Sequence, residues 1–128
     1  MNGTRFIFRI CALPVLFLFG CIEGEQGCHS FHEGNFYAVG DQNDTIFIER
    51  SEDKQIERHH NSEDSLKIFW KTNCEFILRA YSNPSMEGTS QEGDIVGTIT
   101  ECNKDFYVYE SAKLGESIQS GKMYRAKE

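Results

Sequence analysis

The feature that most constrains this chain is its punctuation. From Gly34 onward, short runs of β-branched and aromatic residues alternate with polar turn clusters, and no stretch holds a helical period. The runs predict strands at 34–40, 45–50, 54–60, 65–71, 74–81, 94–101, 105–111 and 121–127. Turns fall at Asp41-Gln42-Asn43-Asp44, Ser51-Glu52-Asp53, Asn61-Ser62-Glu63-Asp64, Lys71-Thr72-Asn73, Asn83-Pro84 to Gly93, and Asn103-Lys104, with 112–120 a longer connection. Such a pattern predicts an all-β fold: an antiparallel up-and-down meander of about eight strands that closes into a barrel and so exposes no edge. A two-sheet β-sandwich is the architectural alternative. An eight-stranded barrel is either filled by its own side chains or holds one small ligand.

Register decides which side chains share a face. A three-residue loop at Lys71-Thr72-Asn73 would set Trp70 opposite Cys74, Ile68 opposite Phe76 and Leu66 opposite Leu78, with Lys67, Lys71, Glu75 and Arg79 all in water. A turn at Asn103-Lys104 would group Ile95, Ile99, Phe106 and Val108, leaving Thr98, Thr100, Cys102, Tyr107 and Tyr109 on the other face. The residues expected to line an interior pocket are therefore Phe36, Leu66, Ile68, Trp70, Phe76, Leu78 and Phe106, either as plain core or as walls for an apolar ligand.

The N-terminus reads differently. Residues 1–20 carry Arg5 and Arg9 and no acid, followed by an apolar run. This is the pattern of a secretion signal. The uncharged stretch from Ile10 to Ile22 is about 20 Å long as a helix, against a hydrocarbon core of about 30 Å, so it is short for a spanning segment. Leu18-Phe19-Gly20-Cys21 resembles the bacterial lipobox, in which Cys21 is acylated and cleavage falls just before it. Cleaved, soluble secretion and an uncleaved anchor are the rivals. Residues 21–30 are predicted to be a flexible tether, and 31–128 one β-barrel domain. With 20 Asp and Glu against 13 Lys and Arg, two of which lie in the signal, the exported part is strongly acidic and gives no support to nucleic-acid binding.

An exported domain meets an oxidising compartment, where cysteines pair. The favoured disulfide is Cys28 with Cys74; a buried free thiol at Cys74 is the alternative.

Phe31 with Gly34-Asn35-Phe36, Ile48-Glu49-Arg50 followed by Gln55-Ile56-Glu57, and Trp70 through Cys74-Glu75-Phe76 together resemble small lipoproteins of Flavobacteria and related Bacteroidetes, over residues 28–110. Those chains pair a lipobox with a lipocalin-like β-barrel, and Gly34-Asn35-Phe36 is similar to the Gly-x-Trp of lipocalins with Phe in place of Trp. The resemblance implies a lipoprotein of the bacterial envelope, periplasmic or surface-exposed, held in a bilayer through acylated Cys21. It implies no activity.

Signals for chemistry are sparse. No Gly-x-Ser-x-Gly elbow or other nucleophile signature occurs, so no enzyme and no cofactor is expected. Cys28, His29, His32, His59 and His60 are candidate ligands, but neighbouring strand residues point to opposite faces, so His59 and His60 are expected to be solvated rather than to share a metal. Asn43-Asp44-Thr45 fits a glycosylation sequon, which matters only in a eukaryote. The run 49–64 is nearly all polar and reads as a solvated, projecting hairpin, or as a surface that binds or inhibits another envelope protein. The leading expectation is a non-catalytic, membrane-anchored barrel with a small apolar ligand inside.

Overall fold

The computed structural model describes residues 25–127. The signal segment and Cys21 lie outside the described residues. A short helix α1 (Glu25–His29) precedes eight strands: β1 (Gly34–Val39), β2 (Thr45–Arg50), β3 (Lys54–His59), β4 (Ser62–Trp70), β5 (Glu75–Ala80), β6 (Ile95–Cys102), β7 (Phe106–Lys113) and β8 (Gln119–Arg125). Each strand pairs antiparallel with the next, and β1 pairs with β8, so the sheet is a closed barrel. Among the described residues no helix is long and apolar enough to cross a membrane.

Alternation places one face of every strand inside. Phe36, Ile48, Ile68, Phe76, Leu78, Ile99, Tyr107 and Met123 form the core, joined by Phe31 and Cys28 from the segment before β1. Two inward glycines make this packing feasible: a Cβ on Gly97 would run into the Phe76 ring, and one on Gly121 into the Tyr109 phenol. The composition of 21–30 predicts a tether, yet Glu25–His29 form α1 and Cys28 within it is buried. The reason is covalent. Cys28 is disulfide-bonded to Cys74 with a Cα–Cα distance of 5.1 Å, pinning α1 to the β4–β5 loop. With the two cysteines 46 positions apart in sequence, loop closure restrains the unfolded chain by about 4 kcal/mol in the chain-entropy model. Cys102 is buried and disulfide-bonded as well.

The β4–β5 register differs from the expected one by two residues: Trp70 faces Phe76 and Ile68 faces Leu78. Thr72 is the cause, because its Oγ1 accepts the N–H of both Cys74 and Glu75 and holds a longer loop. An even offset preserves faces, so the inward set is unchanged. The β6–β7 hairpin departs further. A register shift between Ile99 and Glu101 puts Ile99 opposite Tyr109 and Cys102 opposite Tyr107. The bulge returns Cys102 to the face of Ile99, and Tyr107 and Tyr109 turn inward while Phe106 turns outward. There Phe106 lies against Tyr124 and under the Lys122 ammonium.

Arg79 and Lys67 are not in water. Both point away from the core, yet Arg79 is only 1% exposed and Lys67 9%, because the connection from Tyr81 to Asp94 folds back over the outside of β4 and β5. All five Arg79 N–H donors have acceptors: Asp94 Oδ1 at 3.0 Å and Oδ2 at 2.8 Å, and the carbonyls of Ser85, Glu87 and Thr89. The face of Phe69 lies 4.8 Å from the guanidinium. Arg79 thus organises a long loop that has almost no apolar content of its own. The Arg79 hydrogen bonds hold the Asp94 carboxyl below its ordinary range, against the opposing effect of burial.

Asp94→Ala should lower the melting temperature at pH 7 by about 10 °C or more, since it strands a buried guanidinium. Because the folded pKa of Asp94 is depressed, its contribution is fully present above the unfolded value of about 3.9 and is lost as the pH falls through the lower folded value. The gap between wild type and variant should therefore narrow below about pH 4, as read by thermal melts across pH.

Candidate functional site

The barrel is closed at one end and hollow towards the other. At the closed end, Phe31 sits beneath α1 and packs on Tyr107, with ring centroids 4.8 Å apart, and on Phe36 at 5.9 Å. Arg125 on β8 lies 4.5 Å from the Phe31 ring and 5.4 Å from the Phe36 ring, and donates to the carbonyls of Lys104 and Ser30. His32 stacks on Trp70 at 3.6 Å, and burial lowers its pKa, partly opposed by its bond to the Asn73 carbonyl.

Arg50, at the end of β2, points inward and is 4% exposed. Its guanidinium lies between 5.3 and 5.9 Å from the rings of Phe36, Trp70, Phe76 and Tyr107. It donates to Gln55 Oε1 from Nε and Nη2 at 2.9 and 2.7 Å, to the Phe31 carbonyl at 2.9 Å and to the Tyr107 hydroxyl at 3.0 Å. No carboxylate pairs with it among the described residues. Instead Gln55 Nε2 donates onward to Glu57 Oε1 at 2.9 Å, so the charge of Glu57 reaches Arg50 through one amide. A planar, weakly hydrated cation among aromatic faces with most donors satisfied is an arrangement Arg tolerates and Lys does not.

Above this floor is a cavity of about 240 Å³. Its apolar wall is Ala38, Ile46, Ile48, Phe76, Leu78, Ile95 and Met123; its polar side is Arg50, Gln55, Glu57, Tyr107, Tyr109 and Ser111. Burial, reinforced by Tyr107 and Glu57, raises the Tyr109 pKa, so its hydroxyl stays protonated. The volume is below the roughly 300–1,000 Å³ of pockets for drug-sized ligands, so the space suits a small molecule. Charge in the cavity balances between Arg50 and Glu57, and Arg50 offers no open bidentate fork. An anionic ligand finds little to hold it; a mainly apolar, uncharged one with a single hydrogen-bonding group finds Tyr109 and Ser111.

Of the residues expected to line a pocket, Phe76 and Leu78 do so. Phe36 and Ile68 are buried core, and Leu66 and Trp70 pack against it, partly buried. Phe106 stands on the outer surface for the reason given above. Sequence reasoning missed Arg50, Gln55 and Glu57, which lie in the run 49–64. That run does not project as a free hairpin: it forms barrel wall, with Arg50 and Gln55 buried, while Arg58 bridges Glu49 and Glu63 outside. The signal that could have found them is spacing, since Arg50, Gln55 and Glu57 extend the inward rows of Ile46 and Ile48 once the β2–β3 register is known. At the β3–β4 turn the chain bends at His60, with φ of 54°, so His59 and His60 are not held on opposite faces.

No family model, curated protein or solved structure matches this chain.

Arg50→Met should cost about 3 kcal/mol in urea denaturation, because the Phe31 carbonyl and the Gln55 and Tyr107 side chains lose their donor in a buried place. A loss under about 0.5 kcal/mol would show that the network is dispensable.

Proposed function

We propose that this protein is a non-catalytic lipoprotein of the bacterial envelope, anchored through Cys21, whose barrel carries a small, mostly apolar and uncharged molecule. The observation that carries the ligand half of this reading is the part-polar cavity above Arg50, which an eight-stranded barrel needs only if something is to occupy it; such barrels can be filled by their own side chains. The anchoring half is supported by Leu18-Phe19-Gly20-Cys21 after a short apolar run, and it competes with the disulfide at Cys102: with Cys28 and Cys74 paired, the sequence leaves only Cys11 and Cys21 for it, and a Cys21 sulfur in a disulfide cannot carry an acyl chain. Several acyl chains hold a protein stably at a bilayer where one holds it reversibly. Among the described residues the exposed large apolar side chains are Val39 and Phe47 on β1 and β2 and Tyr81, Met86, Leu114 and Ile118 in connections.

A surface that binds another envelope protein is less well served by residues 49–64, because their inward half is committed to the barrel floor. Two outcomes follow. Native mass spectrometry of protein extracted from cells should show an added small mass that Ala38→Phe, which fills the cavity, abolishes while the fold is kept. Equal occupancy in both proteins would place the ligand elsewhere. Cys21→Ser should move the protein from the membrane to the soluble fraction, with the intact mass after reduction showing loss of acyl chains; a wild-type Cys21 found in a disulfide, or a variant that still pellets with membrane, removes the anchoring half.

A further inference from the structure

The rim of the barrel at the open end carries a cluster the proposed function does not use. Asp44 enters β2 and His59 ends β3; both continue the inward rows of their strands, and His60 follows in the β3–β4 turn. One ligand atom from each of the three lies within 4.8 Å of the others. The Asp44 carboxylate sits between the imidazoles, with Oδ2 3.7 Å from His59 Nε2 and Oδ1 3.6 Å from His60 Nε2. These separations exceed a hydrogen bond, and His59 Nε2 is buried with no hydrogen-bond partner. A buried imidazole nitrogen that faces a carboxylate without bonding to it lacks the partner such an atom ordinarily has.

Backbone conformation brings the three together. Adjacent residues of a straight strand cannot aim at one point, but His60 takes the left-handed region, which among non-glycine residues Asn, Asp and His adopt most readily. The other two non-glycine residues with positive φ among the described residues, Gln42 and Asn43, stand immediately before Asp44. Among the described residues, non-glycine left-handed backbone is thus confined to the two loops that make the cluster. Ser62 Oγ fixes the turn by donating to the His59 carbonyl, and Gly40 N–H closes the other loop on the Asp44 carbonyl.

We propose that Asp44, His59 and His60 bind a divalent transition-metal ion of the zinc class. Two imidazoles and a carboxylate are a familiar zinc donor set, with bonds near 2.0–2.2 Å that place ligand atoms about 3.4 Å apart in a tetrahedron. Small side-chain rotations bring 3.6 and 3.7 Å to that spacing. Three protein ligands leave a fourth position for water or for a group presented at the barrel mouth. The half-exposed side chains give the ion a path from solvent. Magnesium and calcium, which take oxygen donors, are excluded by the two imidazoles.

The test is zinc titration of the metal-stripped, full-length protein without a histidine tag, by calorimetry and by competition with a chromophoric chelator, with cobalt absorption as a second readout. Wild type should bind one zinc per chain and give the intense visible bands of tetrahedral cobalt. His60→Asn, which suits the left-handed backbone, and Asp44→Asn should each weaken binding by about 100-fold or more, beyond the roughly 10–100-fold cost of losing an outer-shell partner. His29→Ala, at the opposite end of the barrel, should bind as wild type. No zinc uptake by wild type, unchanged uptake in both His60→Asn and Asp44→Asn, or loss in His29→Ala overturns the assignment. None of these readouts depends on a cavity ligand or on Cys21.

Discussion

The guanidinium of Arg50 is the constraint around which the rest of the interior is arranged. A cation cannot sit in a barrel of aromatic and aliphatic side chains unless its donors are met, and the chain meets them from three directions: a backbone carbonyl of the plug residue Phe31, the hydroxyl of Tyr107 and the amide of Gln55. Each acceptor then fixes its own element. Phe31 can lie over the barrel end because α1 is tied down by the Cys28–Cys74 bridge. Tyr107 can point inward because of the bulge in β6. Gln55 passes the polarity on to Glu57, and so the polar side of the cavity is a continuation of the network that plugs the floor.

Much of this architecture is legible in the sequence, and what is not has identifiable physical causes. Alternating runs and turn residues report strand number and order, because each strand must bury one face. The faces of β4 and β5 survive an error in loop length, since an offset of two returns every side chain to the same side. The faces of β6 and β7 do not survive, because a single bulged residue inverts them, and nothing in the local composition marks Thr100 as the residue passed over. Arg79 defeats a reading based on alternation alone: it does face outward, but the loop that follows its own strand covers it, and beside Asp94 the loop does so by backbone carbonyls that any residue supplies.

The polar run 49–64 illustrates a related failure of composition. Its residues look uniformly solvated, yet the strand period divides them into two populations. Arg58, Glu49 and Glu63 form a surface ion network, while Arg50, Gln55 and Glu57 build the cavity floor. Hydrophilic composition therefore says that a strand is costly to bury, and it leaves open whether a compensating network exists. The rim cluster is hidden in the same way, because its geometry comes from a backbone angle at His60.

The ring itself is closed by very little. Every sheet contact in the meander joins neighbours in sequence except that of β1 with β8, and this junction pairs Phe36 with Arg125 and Tyr37 with Tyr124, with one further backbone bond from Ala126 N–H to the Asn35 carbonyl. The stacked Tyr37 and Tyr124 rings and the reach of Arg125 to Lys104 and Ser30 reinforce it from both sides. Bringing those two strands together closes nearly the whole length of the domain into one loop, the largest entropic step in its assembly. A ribbon of seven hairpins can thus form from local contacts first and be latched into a cylinder afterwards, with the latch being the place where the cylinder most readily comes undone.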